Sequence, residues 1–113
     1  MSERNTVLLL EDILQATEKI LSYTQGMSFD EYMVDTKTVD AVVRNFSIIG
    51  EAANKIPPEF KSAHPEIEWH RIRGFRNRIV HEYFDIDHEL VWQIKDENLP
   101  ELKKKLAILL STL

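Results

Sequence analysis

The sequence of 113 residues contains no cysteine and only three glycines. The absence of cysteine excludes disulfide frameworks, thiolate zinc sites and cysteine nucleophiles. No apolar run approaches the roughly 18–20 residues that a membrane-spanning helix needs, and the start, Met-Ser-Glu-Arg-Asn, lacks the layout of a signal peptide. We therefore expect a cytoplasmic protein that does not act on a membrane.

Basic residues are also in the minority, because 14 Lys and Arg stand against 19 Asp and Glu, giving a net charge of −5. This balance argues against a protein that coats nucleic acid through general positive charge. A chain of this length folds as one domain, here residues 1–113, and buries about two-thirds of its unfolded surface. So small a domain has little room for a deep cleft. Its function is therefore expected at a surface groove or a subunit interface.

Apolar residues at helical spacing dominate the first half of the chain. They share one face over residues 6–25, and Gly26 stands where a C-cap glycine ends a helix. Ser28 followed by Glu31 has the form of a capping box that opens a short helix. An apolar stripe then predicts a second long helix. Asp35 or Thr36 caps its start, and the consecutive prolines Pro57 and Pro58 end it.

The second half predicts two more long helices. Residues 59–65 form a short helical connector, and a third long helix is predicted from about Ile67 to Tyr83. A fourth is predicted from about His88, with a kink or restart at Pro100. No stretch has a convincing strand pattern. We therefore predict an all-α fold, a bundle of four main helices with short additional helices.

One segment reverses the acidic character of the chain. Residues 70–81 carry a charge of +4 and no acidic residue, so the remaining chain carries −9. Guanidinium groups bind phosphate well because their planar fork pairs with two oxygens at once. The segment therefore predicts a phosphate-binding surface, with a simple solvated charged face as the alternative. Its arginines are Arg71, Arg73, Arg76 and Arg78.

Arg76 has an unusual place in this segment. On a helix it falls within the apolar arc that includes Ile72 and Ile79, so we expect it to be turned away from open solvent. A buried charge without a partner costs several kcal/mol. Arg76 is therefore expected to be paired or to face a lined groove. Glu51, among small residues of the second long helix, is the candidate partner.

The adjoining polar face carries a candidate acid/base residue. Asn77 and His81 are four residues apart, so on a helix Asn77 could orient the imidazole. Gly74 on this face would let a backbone approach closely. Histidine, with an ordinary pKa of about 6.5, can exchange protons with a ribose hydroxyl and a leaving oxygen. Arginine can stabilise the charge that develops on phosphorus. A structural histidine fits the same pattern, and the residues alone leave both interpretations open.

Metal and cofactor chemistry has little support in the sequence. The four histidines lack the spacing of a His-Glu-x-x-His zinc site. There is no glycine-rich phosphate loop and no Gly-x-Ser-x-Gly elbow. We therefore predict a site that works without a metal ion or a cofactor.

The run from Arg76 to Tyr83 has the form Arg-x4-His-x-Tyr. With this run the chain resembles the HepT-like toxins of the HEPN superfamily. Three further blocks are similar to that family in the same order along the chain. Residues 48–57 resemble its second-helix block, residues 64–69 the entry to its motif helix, and residues 98–102 its final block.

This resemblance implies a HEPN-type bundle that forms a symmetric homodimer, with two Arg-His motifs facing one another across the groove between subunits. It implies a metal-independent endoribonuclease that cleaves RNA as the toxin of a type VII-like toxin–antitoxin module. Arg76 would bind the phosphate and stabilise the transition state, and His81 would be the general acid/base. Asn77 would support the site, and Arg73 and Arg78 would add positive charge to it.

By the same resemblance, Tyr83 corresponds to a tyrosine that the antitoxin modifies. The antitoxin is a minimal nucleotidyltransferase that transfers AMP to this tyrosine and so silences the toxin. A bulky anionic group seven residues after Arg76 would fill the groove and engage the arginines meant for RNA.

Two other functions remain open on the sequence. The first is a non-catalytic module that binds a nucleotide or a nucleotidyltransferase partner through its arginines. The second is a purely structural dimerising bundle, in which Arg76 would be neutralised by an internal acid such as Glu51. The structural bundle ranks last because it does not explain the Arg-His-Tyr spacing.

Overall fold

Helices account for most of the chain in the computed structural model, which describes residues 5–82 and 85–113. None of the helices in this described part has both the length and the apolar character needed to cross a membrane. Two short strands, β1 (Val80–Glu82) and β2 (Asp85–Ile86), pair in an antiparallel ribbon. The helices are α1 (Thr6–Thr24), α2 (Phe29–Val34), α3 (Thr36–Lys55), α4 (Pro58–Ala63), α5 (Trp69–Ile79), α6 (His88–Glu97) and α7 (Leu99–Ser111).

Side-chain caps fix the first residues of four helices. The side chains of Asn5, Ser28, Asp35 and Asp87 each accept a hydrogen bond, 3.0–3.1 Å long, from the backbone N–H three residues further on. Each bond satisfies an amide that has no partner within its helix. Glu31 completes the predicted capping box by accepting from the backbone N–H of Ser28, and the bonds to Ser28 lower the pKa of Glu31.

A continuous apolar core places α3 in the centre, between α1 and α5. Helix α7 packs on α1, and α6 lies between α7 and α5. Phe46 of α3 and Phe75 of α5 are fully buried and meet edge to face, with 5.8 Å between ring centroids. Burial of one such ring contributes about 1.5–3 kcal/mol. The contact therefore fixes which face of α5 turns inwards and which arginines are left at its edges.

The all-α bundle with short additional helices is confirmed, and so are most of its predicted boundaries. Gly26 has a φ of 76°, the left-handed conformation that a C-cap glycine supplies. The restart at Pro100 is a separate helix, with Leu99 as its first residue and the proline in its first turn. A surface ion pair joins Glu101 to Lys105, four residues further along α7, at 4.0 Å.

The region after α5 differs from the prediction. Helix α5 ends at Ile79, so the helix predicted to run to Tyr83 is wrong, and the expectation of no strand is wrong as well. The β-branched pair Ile79-Val80 favours extended backbone. Val80 pairs with Ile86 in the ribbon, and the backbone N–H of Asp87 donates to the carbonyl of Ile79 at 2.7 Å. These backbone bonds replace the ones that a further helical turn would make.

Candidate functional site

The arginines of α5 lie on two sides of the helix. Arg73 and Arg76 face α3 and line a depression between the two helices. Arg71 and Arg78, seven residues apart and hence two turns along one face, line a smaller depression against α6. Helix α5 itself therefore divides the basic segment, and the structure does not bring Arg78 together with Arg76.

We call the larger feature the α3–α5 depression; its volume is about 440 Å³. Helix α5 supplies two guanidinium groups and an amide, and α3 supplies a hydroxyl, a carboxylate and an amide. Such a set of donors and acceptors suits a polar, anionic ligand better than an apolar one. The lining residues are Ser47, Gly50, Glu51, Asn54, Arg73, Arg76 and Asn77.

Glycine on α3 makes the approach of the two helices possible. A Cβ at Gly50 would lie 3.2 Å from the carbonyl oxygen of Arg73, a tight contact with backbone. Gly74, the glycine expected to admit a close backbone, has no described atom of another helix or strand within 4 Å of its Cβ position. The close approach thus depends on Gly50, and it sets the width of the α3–α5 depression.

Arg76 is exposed, so the expectation that it turns away from solvent is wrong. It lies at the edge of the depression that it lines with residues of α3, and its long side chain can reach water from there. Arg76 and Glu51 line the same depression, but no ion pair joins them in the described part of the chain. The guanidinium of Arg76 therefore remains available to a ligand.

The other cations of the segment differ in how far they are neutralised. Arg71 forms an ion pair of 2.9 Å with Glu68. Nη2 of Arg73 lies 3.5 Å from Nδ1 of His70, at the outer limit of a hydrogen bond. Within the described residues, Arg73 and Arg78 have no carboxylate partner either. An uncompensated cluster of this kind attracts anions to this side of an acidic protein.

His81 lies outside the α3–α5 depression. It is the middle residue of β1 and is exposed, whereas the preceding Val80 packs against the core. Because side chains alternate along a strand, His81 faces solvent. The predicted pairing of Asn77 with His81 along a helix is wrong because the helix ends at Ile79. Tyr83 is outside the described residues.

Two lining residues, Ser47 and Asn54, were not predicted. They share a polar face of α3 with Glu51, at spacings of four and three residues. A search for the polar face of the helix next to the arginines would have identified them.

No three His, Asp or Glu side chains in the described residues converge closely enough to hold a metal ion.

Comparison with known proteins places the chain in a family. A family model described as "Ribonuclease HepT-like" matches residues 13–109. The chain belongs to the HepT-like family. No solved structure matches it.

Individual HepT-like relatives match over nearly their whole length. The "Probable ribonuclease HepT" of Thermococcus cleftensis is 42% identical over 96 residues, which cover 85% of this chain and 87% of the relative. A protein of Methanocaldococcus jannaschii named "Putative RNase MJ1380" is 34% identical over 108 residues, 96% of this chain and 99% of the relative.

Alanine at the two helical glycines tests the close approach. Alanine favours a helix over glycine by about 0.5–1 kcal/mol, so Gly74→Ala should raise the free energy of unfolding by about that amount. Gly50→Ala should lose this gain or destabilise the protein, because its Cβ would press on the Arg73 carbonyl. Urea unfolding followed by circular dichroism compares the two variants. Equal stabilisation by both would contradict the close packing of α3 on α5.

Proposed function

We propose that this chain is a metal-independent endoribonuclease, the toxin of a toxin–antitoxin pair, with its site at the Arg76–His81 motif. The observation that carries the proposal is the α3–α5 depression, in which Arg73 and Arg76 have no carboxylate partner and lie beside the Asn77 amide. The names of the HepT-like relatives, ribonuclease and RNase, support it.

Arg76 is the residue that binds the scissile phosphate. A planar guanidinium pairs with two phosphate oxygens at once and holds the phosphodiester in a fixed orientation. In the transition state negative charge builds on the non-bridging oxygens, where a positioned cation stabilises it more than in the ground state. The Asn77 amide, one residue further on, is placed to support these oxygens or the ribose.

His81 is the general acid/base. It takes the proton of the ribose 2′-hydroxyl as the 2′-oxygen attacks phosphorus, and a proton is returned to the 5′-oxygen as the bond from phosphorus to that oxygen breaks. The products are a 2′,3′-cyclic phosphate and a 5′-hydroxyl. No water molecule and no metal ion enters this step. The exposure of His81 leaves its ring accessible to an RNA strand.

A symmetric homodimer would complete the site. His81 does not line the depression that holds Arg76, so within one subunit the two groups do not share this depression. Two-fold symmetry would place the motif of one subunit opposite the motif of its partner and would form an RNA groove between them. We propose that the catalytic groups meet across this groove.

Control by a nucleotidyltransferase antitoxin is the last part of the proposal. The antitoxin would transfer AMP from ATP to the hydroxyl of Tyr83, releasing pyrophosphate. The added phosphate would compete with RNA for the guanidinium of Arg76, and the adenosine would occupy the groove.

RNA cleavage in excess chelator tests the catalytic assignment. His81→Ala should lower the cleavage rate by about 10²–10⁴-fold, the usual contribution of general acid/base catalysis. Arg76→Ala should lower it by about 10²–10³-fold, as expected for loss of one group that stabilises the transition state. Lys104→Ala, at an exposed position of α7 away from the depression, is the control. Mass spectrometry of the products should find a 2′,3′-cyclic phosphate.

Equal cleavage by the wild type and by both variants would remove the proposed catalytic roles. RNA binding without cleavage, weakened by Arg76→Ala but not by His81→Ala, would instead favour a non-catalytic binding module. This second function is favoured by the position of His81, which lies outside the α3–α5 depression.

Mixing two inactive variants tests whether the site is shared between subunits. A heterodimer of Arg76→Ala with His81→Ala keeps one intact Arg76 and one intact His81, on different subunits. After exchange of subunits at equal amounts, about one quarter of wild-type activity should return, because half of the dimers then hold one composite site of two. Activity that stays at the level of the separate variants would assign both groups to one subunit.

Tyr83→Phe tests the control by the antitoxin. The variant should cleave RNA like the wild type and should take up no AMP when incubated with the nucleotidyltransferase and ATP. Intact mass and cleavage rate measure the two properties. Inhibition of Tyr83→Phe to the same extent as the wild type would show occlusion rather than modification.

A further inference from the structure

A second group of cations lies beside the α3–α5 depression, where α4 meets the start of α5. Phe60 of α4 and Trp69, the first residue of α5, meet edge to face with 6.2 Å between centroids. The indole N–H of Trp69 donates to the carbonyl of His64 at 2.9 Å. These contacts hold Lys61, next to Phe60, close to the first turns of α5.

The charge of Arg73 acts on Lys61 there. The Lys61 side chain is partly buried, and its pKa is lowered from the usual value, first by burial and then by the charge of Arg73. Two cations held together repel each other unless an anion lies between them. In the described structure neither Lys61 nor Arg73 has a carboxylate partner.

Two carboxylates of the segment between α4 and α5 are engaged elsewhere. Glu66 lies 3.4 Å from His64, and Glu68 pairs with Arg71 at 2.9 Å. Glu51 lines the same depression as Arg73 but forms no ion pair with it, so the described ion pairs leave the charges of Lys61 and Arg73 uncompensated.

His70 adds a third donor. Its Nδ1 lies 3.5 Å from Nη2 of Arg73, and an arginine can only donate to it. A neutral His70 in this contact carries its proton on Nε2. The ring is exposed, so this N–H can also be directed to a ligand.

We propose that Lys61, His70 and Arg73 form a second phosphate subsite, which holds the RNA phosphate next to the one that is cleaved. This inference rests on the proposed ribonuclease function. Arg73 and Arg76 are three residues apart, so their Cβ atoms lie about 5–6 Å from each other on one helix face. Their long side chains can adjust this separation to successive phosphates of one strand. The subsite orients the strand along α5, and Lys61 is a positioning residue.

Lys61→Gln tests the subsite on substrates of two lengths. On an RNA of eight nucleotides the variant should raise KM several-fold with little change in kcat. On a dinucleotide, whose only internal phosphate is the scissile one, it should have no effect. Lys104→Gln removes the same charge from an exposed position of α7 and should behave as the wild type. Lys61→Arg should restore the wild-type KM.

A binding measurement separates this inference from the proposed function. An eight-nucleotide RNA methylated at every 2′-oxygen cannot be cleaved through the 2′-hydroxyl, so its affinity reports contacts alone. For wild type and Lys104→Gln the slope of log Kd against log salt should be equal, and for Lys61→Gln it should be smaller by about 0.7, the value for one phosphate contact to a single strand.

Equal salt slopes for Lys61→Gln and Lys104→Gln would overturn the subsite, as would an equal loss of activity on the dinucleotide and the longer RNA. Failure of the wild type to bind this RNA at all would overturn it too. The wild type could cleave no RNA while the salt slope of Lys61→Gln is still smaller than that of the wild type. This result would overturn the ribonuclease proposal and leave the subsite supported.

Discussion

The close contact of α3 with α5 at Gly50 determines the rest of this site. The missing Cβ lets the α5 backbone approach to a distance that a larger residue would oppose. Phe46 and Phe75 lock the same two helices together through the core. With the helices held in this way, the polar groups at their common edge form the α3–α5 depression. The helical phase of the α5 arginines places Arg73 and Arg76 in this depression and Arg71 and Arg78 on the side of α5 that faces α6.

The electrostatics of the molecule follow from this arrangement. The body is acidic, yet three of the four arginines of α5 have no carboxylate partner in the described part of the chain. Unneutralised cations on one helix repel one another and lower stability, a conflict that is typical of functional sites. The acidic remainder would confine an anionic strand to the arginine-bearing side, so that affinity and placement come from the same charges.

The ribbon formed by β1 and β2 has a comparable influence on the proposed catalytic motif. By ending α5 at Ile79 it separates Arg76, at the edge of the depression, from His81 on an exposed strand. A single subunit of this protein thus presents the two groups on different local structures. The site shared by two subunits that we propose would resolve this separation, and the pairing of the ribbon would hold the histidine in place for it.

The sequence by itself determined most of the helices, their caps and which residues belong to the basic segment. These features depend on local information: apolar spacing, cap residues such as Ser28 and Asp35, and prolines that cannot continue a helix. It also placed Glu51, Arg73, Arg76 and Asn77 among the candidate site residues before their common depression was known. Local pattern is sufficient for such features because residues close in sequence create them.

Only the tertiary structure decided which arginines line the α3–α5 depression. It also decided that the side chain of Arg76 is exposed and that His81 lies on strand β1 rather than on helix α5. Helical phase places Arg76 in the apolar arc, but it lies at the edge of the depression between α3 and α5 and its long side chain is exposed. The end of α5 depends on pairing between Val80 and Ile86, which a helical pattern cannot reveal. In each case the deciding partner lies on another element, because packing and strand pairing are set by contacts between segments that are separate in the sequence.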